Sequence, residues 1–486
     1  MRTSTKLSVS RKIDEFIEEK RNSLIDLSDT IWEYAETRFE EYQSAKALAD
    51  YLEKEGFLVE RGVGGIETAF IASYGSGKPV IALLGEYDAL SGMSQKDGIT
   101  NYQPIEEGGN GHGCGHNLLG TAPLAAVLAV KKMIKEYGIS GTIRYYGCPG
   151  EEGGSGKTFM VREGLFDDVD SALTWHPGSY SGVFSLSTLA NYQVYFQFKG
   201  TASHAANSPH LGRSALDAVE LMNIGVNYLR EHIISDARIH YAVTNTGGFS
   251  PNVVQSDAEV LYLIRAPQLN QVKEIYERVM NIAKGAALMT GTEVSFKLDK
   301  ACSNYIPNQT LAHVLEEKME DFGLPEYTEE EMIFAKAMSQ QIKENDKLAA
   351  FTEISKVSGE KVNQIREKLG DKPFFEEVFK HQTLNLTLMG STDVGDVSWV
   401  VPTAQFWGAC FVAGTPLHSW QLVSQGKTAL AHKGMLQAAK VLADAAVELF
   451  INPTIIEKAK QELEEEREGA YESPIPREVK PSPLKK

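Results

Sequence analysis

Four stretches of the chain hold side chains able to ligate a metal or move a proton. In GGNGHGCGHNLLGTAP (108–123), Cys114 and His116 sit in a glycine-rich loop that opens onto an apolar run. Thiolate and imidazole are good ligands for Zn²⁺ and similar divalent ions, and glycines let the backbone carry both side chains toward one point. Read alone, the segment is equally a glycine-rich turn with an incidental Cys and His, because short motifs misfire. In YYGCPGEEGGSGK (145–157), Glu151 and Glu152 follow an expected strand, at the kind of strand end where α/β enzymes place their sites. Neighbouring side chains in an extended loop point different ways, so one carboxylate can bind metal while the other faces substrate as a base. Alone, the pair reads as an acidic surface turn, since Glu is mostly exposed. His176 ends the strand-like ALTWHPG (172–178), and His418 lies in the Gly/Pro-bounded GTPLHSW (414–420). A lone histidine is more often structural than ligating, but Cys, His and Glu gathered from separated segments make a coherent ligand set.

Two competing chemistries are weaker. GSGKT follows a strand and opens a helix, as a phosphate-binding loop does, yet Glu151 stands where that pattern requires glycine. Two carboxylates there would repel a phosphate. A Cys–His protease reading of Cys114 competes poorly with metal, given the adjacent glycines and the Glu pair. His112 lies beside the ligands and reads as a supporting or exposed residue. Cys148, Cys302 and Cys410 read as packing thiols. His210, His232, His240, His313, His381 and His432 show no partner pattern.

The elements that must position these residues emerge from hydrophobic period. Ile13, Phe16, Ile17, Leu24, Leu27 and Ile31 recur at helical spacing, and a second helix is expected over 44–55. Residues 68–75 and 79–87 read as strands, the second buried on both faces. A buried helix over 117–137, a strand over 141–147, a helix from 157 and a strand over 171–176 complete an α/β layered pattern. Then the period changes. Strands over 191–200, 238–248, 258–266 and 293–299 and helices over 213–231 and 272–288 give the β-α-β-β-α-β order of a ferredoxin-like α+β domain. This domain is nested, because α/β material resumes after Pro307. Residues 325–382 read as a charged helical insertion, 403–412 as a strand, and 423–450 as one long helix. The tail from 452 reads as a charged helix followed by a frayed end.

The chain has 486 residues with a formal net charge of −17. That charge argues against a nucleic-acid partner, since duplex binding draws on Lys and Arg. Four cysteines cannot form a dense disulfide framework and read as reduced thiols. No run of about 18 apolar residues suggests a membrane span. The first residues lack the apolar stretch of a signal peptide, so the expected location is the cytoplasm.

CGHN (114–117), Glu151-Glu152 after a strand, WH (175–176), GTASHAA (200–206) and PLHS (416–419) occur in an order that resembles the M20 family of metallopeptidases and amidohydrolases. Within that family the likeness is to the aminoacylase/carboxypeptidase branch. GEYDALSGMSQ (85–95) and the insertion before STDVGDVSW (391–399) narrow it to one subgroup. The resemblance implies a zinc-peptidase-like α/β catalytic domain, 1–188 and 304–486, with an inserted ferredoxin-like lid and dimerisation domain, 189–303. It implies that Cys114, His116, Glu152, His176 and His418 hold one or two divalent ions, Mn²⁺ or Zn²⁺. It makes Glu151 the general base, Asp88 the aspartate that braces the metal site, and His204 a lid histidine reaching the partner subunit's site. Asn252 and Arg265 become substrate-holding residues, although Arg265 also reads as a lid-surface salt bridge.

The implied activity is amide hydrolysis of an N-acyl amino acid, an aminobenzoyl-glutamate-like amide or a small dipeptide, in a homodimer or a hetero-oligomer with a related subunit. A catalytically silent metal-binding subunit is the alternative. The sequence departs from other branches at Glu86-Tyr87-Asp88, where they carry His-x-Asp, so a histidine ligand is absent there. Trp420 and the insertion also differ from compact members.

Overall fold

The computed structural model describes residues 3–383 and 386–483. The first half runs α1 (Thr3–Tyr34), α2 (Tyr42–Lys54), β1 (Leu58–Arg61), β2 (Phe70–Ser76), β3 (Val80–Glu86), α3 (His116–Tyr137), β4 (Gly141–Cys148), α4 (Gly156–Arg162), β5 (Ser171–Gly178), β6 (Ser181–Phe184) and β7 (Ser187–Thr188). Next come β8 (Ala190–Lys199), α5 (Ala215–Leu229), β9 (Arg238–Asn245), β10 (Asp257–Ala266), α6 (Leu269–Thr290) and β11 (Glu293–Cys302). The remainder is α7 (Gln309–Phe322), α8 (Glu329–Ser339), α9 (Glu344–Ser358), α10 (Val362–Leu369), β12 (Val378–Phe379), β13 (Thr387–Leu388), α11 (Val394–Val400), β14 (Thr403–Ala409), α12 (Trp420–Gln425), α13 (Ala429–Ile451) and α14 (Pro453–Glu466).

The larger sheet has strand order β1-β2-β4-β3-β5-β14-β6-β12. Its centre is parallel, β4 with β3, β3 with β5 and β5 with β14. All seven residues of β3 are buried, as its unbroken apolar run anticipates. Helices α3 and α13 pack against this sheet, α1 packs on both of them, and all share one apolar core. Helix α3 is long and apolar enough to cross a membrane, but 89% of that stretch is buried inside the protein. Its Ala- and Leu-rich character is that of a central core helix.

The second sheet, β11-β8-β10-β9, is antiparallel throughout and carries α5 and α6. Its strand order is that of a ferredoxin-like unit, and β10 alternates buried and half-buried residues along its whole length. A bulge in β11 breaks the pairing with β8 between Leu298 and Lys300. The extra residue, Asp299, accepts Arg38 Nη1 and Nη2 at 3.0 and 3.2 Å. Both side chains are 3% exposed, so a buried bidentate pair ties the second sheet to the loop between α1 and α2.

Three expectations are corrected. The helix expected over 423–450 is two helices, because α12 ends at Gln425 and α13 starts after Thr428. The strand expected to Val412 ends at Ala409, where the Cys410 and Phe411 N–H groups both turn to donate to Gly178 O, at 2.9 and 3.1 Å. The tail is not frayed through its described residues. Tyr471 Oη donates to Asp396 Oδ1 at 2.9 Å, Ile475 is 1% exposed, and Arg162 Nη1 donates to the carbonyls of Pro476 and Val479. A few apolar anchors among prolines carry no period, which is why the sequence pattern does not reveal this docking. Residues 484–486 of that tail lie outside the described residues.

Ile475→Ala should therefore lower unfolding stability by about 2–5 kcal/mol, the usual range for truncating a buried aliphatic side chain. Chemical denaturation reads this directly, and a frayed tail would leave the midpoint unchanged.

Candidate metal centre

The ligand candidates stand at the ends of central elements. Cys114 precedes Gly115, whose φ of +76° is left-handed, and a Cβ there would meet the Pro177 ring at 2.8 Å. Glycine thus allows the loop to turn directly into α3, putting His116 at the helix start. Cys114 Sγ lies 3.4 Å from His176 Nε2 at the end of β5. His176 Nδ1 donates to Pro177 O at 2.9 Å, which leaves Nε2 as the bare nitrogen, free to ligate. His116 is oriented the same way, with Nδ1 2.9 Å from Asp88 Oδ1. The other Asp88 oxygen accepts the Glu152 N–H at 2.9 Å, so one carboxylate braces both a candidate ligand ring and the Glu loop. His418 holds φ +55°, donates its N–H to Gly113 O at 2.8 Å and places Nε2 3.2 Å from Glu152 Oε2.

The donor atoms of Cys114, His116 and His176 lie within 4.8 Å of one another, and so do those of Cys114, Glu152 and His418. Cys114 belongs to both groups. His116 Nε2, Glu152 Oε1 and Glu86 Oε2 are buried without a hydrogen-bond partner. His116 Nε2 and Glu86 Oε2 approach to 3.3 Å but without hydrogen-bond alignment. Unpaired buried donors and acceptors are rare, and a soft and borderline donor set with such orphans fits a divalent cation.

Glu151 and Glu152 diverge as neighbouring side chains should. Glu152 joins Cys114 and His418, while Glu151 joins Glu86 and His116 in a third group within the same 4.8 Å limit. Burial pushes Glu151 well above the usual carboxylate range, helped by the charges of Glu86, Asp393 and Glu152. Burial also works to raise Glu152, but the His418 hydrogen bond and the charge of His116 outweigh it and hold that group down to about 2. The same hydrogen bond raises His418. Burial and the charge of His116 lower His176 to about 3.

The sequence reading missed Glu86, Lys157 and Asp393. Lys157 Nζ lies 2.6 Å from Glu86 Oε1 and 2.6 Å from Asp393 Oδ1, with no side-chain exposure. This lysine is the one in the phosphate-loop look-alike, and its charge is consumed internally. Glu86 carried a usable signal: it stands two residues before Asp88 at a strand end, so both face one side. His112 is buried, not exposed, with Nε2 3.0 Å from Ile31 O.

A cavity of about 410 Å³ opens beside these residues, within the range of small-molecule sites. Arg265, Lys300, Glu353, Met389 and Trp407 contribute to its wall. Arg265 is therefore in the site and not a surface ion pair; its Nε is buried without a partner and its Nη1 is 3.5 Å from Met389 O. Among the described residues no carboxylate pairs with Arg265 or Lys300. Glu353 comes from the helical insertion, which thus helps to shape the cavity.

His204 and Asn252 are not in this cavity. Both are exposed, and their loops are joined by a bridge between His204 and Val253 and by Ala205 N–H donating to Asn252 O at 3.0 Å. His204 Nδ1 accepts the Asn207 N–H at 3.1 Å, leaving Nε2 to carry the ring proton.

The profile of peptidase family M20/M25/M40 matches residues 82–340. A p-aminobenzoyl-glutamate hydrolase subunit of Escherichia coli (strain K12) is 55% identical, over 98% of this chain and 99% of its own. The Xaa-Arg dipeptidase of Mus musculus is 27% identical, over 94% and 92%. The fold is shared with the YXEP protein of Bacillus subtilis, a dinuclear metal-binding peptidase of the M20 family. That structure has a TM-score of 0.54 at 16% identity, covering 89% of this chain and 99% of that one.

Asp88→Asn should weaken divalent-cation affinity by about 10–100-fold, as loss of a carboxylate partner of a ligating histidine typically does. Competition against a chromogenic chelator measures it, and unchanged affinity would remove Asp88 from its bracing role.

Proposed function

The chain belongs to peptidase family M20/M25/M40 and is a hydrolase of amide or peptide bonds, and from that membership we propose that it cleaves the amide of an N-acyl amino acid, p-aminobenzoyl-glutamate foremost. The observation that carries this reading is the meeting of five ligand candidates and Glu151 beside a cavity whose wall presents Arg265 and Lys300. The relative that is 55% identical is named for hydrolysis of p-aminobenzoyl-glutamate, a substrate whose carboxylates suit that wall.

Cys114, His116, Glu152, His176 and His418 would hold two divalent ions, with Cys114 common to both ligand groups. Zn²⁺ suits the thiolate and imidazoles, and Mn²⁺ the carboxylates. Such ions supply Lewis acidity, which polarises a carbonyl and acidifies water. Glu151 takes the proton of the attacking water and returns it to the departing amine, acting as base and then acid. Arg265 and Lys300 hold the substrate carboxylates and set the amide against Glu151. The cavity wall from Glu353 and residues 388–392 limits access to small substrates.

His204, exposed on its own chain, fits a role at the site of a partner subunit, donating from Nε2 to the oxygen that gains charge. Strand β9 ends its sheet with one edge unpaired within the chain, and Tyr241 and Val243 on it are each 41% exposed. That edge supports a dimer through the second sheet. A different but related chain is an equal candidate for the partner, because the E. coli relative is named as one subunit of a hydrolase. The presence of Glu151 argues against a silent subunit.

Glu151→Gln should lower kcat by about 10²–10⁴-fold while metal content stays at the wild-type level; near-normal hydrolysis would reject the base assignment. Arg265→Ala should raise KM for p-aminobenzoyl-glutamate and leave an analogue lacking the carboxylates unaffected. A panel of N-acyl amino acids, dipeptides and p-aminobenzoyl-glutamate, with Mn²⁺ or Zn²⁺ supplied, decides the substrate class. Mixing Glu151→Gln with His204→Ala under conditions of shown subunit exchange should restore activity if His204 works across subunits.

A further inference from the structure

We infer that His313, Glu316 and His381 form a divalent-cation site of their own, outside the metal centre, which clamps helix α7 to the chain leaving the helical insertion. The donor atoms of the three residues lie within 4.8 Å of one another, and none of the three lines the catalytic cavity. His313 and Glu316 stand three residues apart on α7 and so share a face. His381 arrives from the other side of the sequence, after β12, with its ring centroid 4.8 Å from that of His313.

The donor chemistry is already arranged. Glu316 Oε1 accepts the His381 backbone N–H at 2.7 Å and lies 3.1 Å from His381 Nδ1. Nδ1 and Oε1 stand at the separation of two ligands on one ion, and a divalent cation held between them would displace the ring proton that Glu316 now accepts. The His381 side chain is only 1% exposed, and its Nε2 has no hydrogen-bond partner. One donor atom from each of two imidazoles and a carboxylate thus converges on a common point beside a buried ring. Two imidazoles and a carboxylate suit Zn²⁺ and its borderline neighbours, and the exposed His313 side leaves room for water to complete the shell.

The surroundings say what the cation would do. Gln309, His313, Glu316 and Glu320 follow one another at spacings of four, three and four along one face of α7. The segment from Lys380 to Thr383 lies antiparallel along that face. Lys380 Nζ meets Glu320 at 2.8 Å, His381 meets Glu316, and Thr383 Oγ1 donates to Gln309 Oε1 at 3.3 Å. Further along the same stretch, Leu388 to Thr392 line the catalytic cavity. A cation joining His313 to His381 would fix the origin of that wall.

The test uses the full-length protein, stripped of metal and then equilibrated with excess Zn²⁺ and desalted. Wild type should retain one more equivalent of Zn²⁺ than His313→Ala, a variant at an exposed position away from the catalytic residues. His313→Cys, which exchanges one ligand for another, should recover it. Zn²⁺ should also slow tryptic cleavage after Lys380 several-fold in wild type and in Cys114→Ala/His176→Ala, where the metal centre is disabled, but not in His313→Ala. Equal Zn²⁺ content in wild type and His313→Ala overturns the proposal, as does cleavage after Lys380 that Zn²⁺ slows equally in both.

Discussion

The architecture around the metal centre depends on one constraint: too many carboxylates are buried in one place. Glu41, Glu86, Asp88, Glu152 and Asp393 are withdrawn from water or nearly so, with Glu151 beside them. Like charges gathered in a low dielectric raise one another's proton affinity or must be met by cations. Lys157 meets two of them, Glu86 and Asp393, from the first turn of α4. Glu41 is spent on the Gly150 N–H and the Thr68 hydroxyl, and Asp88 on His116 and the Glu152 N–H. Glu86 Oε2, Glu152 Oε1 and His116 Nε2 are the atoms these partners leave unmet, and all three residues belong to the candidate ligand groups. A divalent cation would complete a neutralisation that the protein leaves partly unmet.

The same constraint explains which residues were legible in the sequence. Cys114, His116, Glu151, Glu152, His176 and His418 stand out because chemistry-bearing types sit in Gly-rich loops at strand ends, where a packing role is hard to supply. The alternation of strands and helices was equally plain, since each long element keeps its period. Lys157 was hidden because a lysine in a GSGKT stretch reads as a surface or phosphate residue, and only the fold brings Asp393 to it. Lys300 was hidden by the bulge at Asp299, which shifts the register and re-aims the residues after it. Residues His313 and His381 are 68 positions apart, and no local pattern joins them. The two-residue strands β7, β12 and β13 carry too few residues for any period to show.

The cavity is composed from parts that the chain order keeps apart. The larger sheet and the loops at its strand ends supply Glu86, Cys114, Glu151, Glu152, His176 and His418, the second sheet supplies Arg265 and Lys300, and the insertion supplies Glu353. This division separates the reaction from the selection of its substrate. The parallel core can hold its ligands unchanged while the second sheet and the insertion alter what fits against them.

Arg38 gives that division a mechanical limit. Its guanidinium grips Asp299 in the bulge of β11 and also donates to the carbonyl of Gly153, immediately after the Glu pair. Sliding the second sheet away would strand two opposite charges in the interior, or else drag the 151–153 loop along. One guanidinium therefore joins the smaller sheet directly to the loop that carries Glu151 and Glu152.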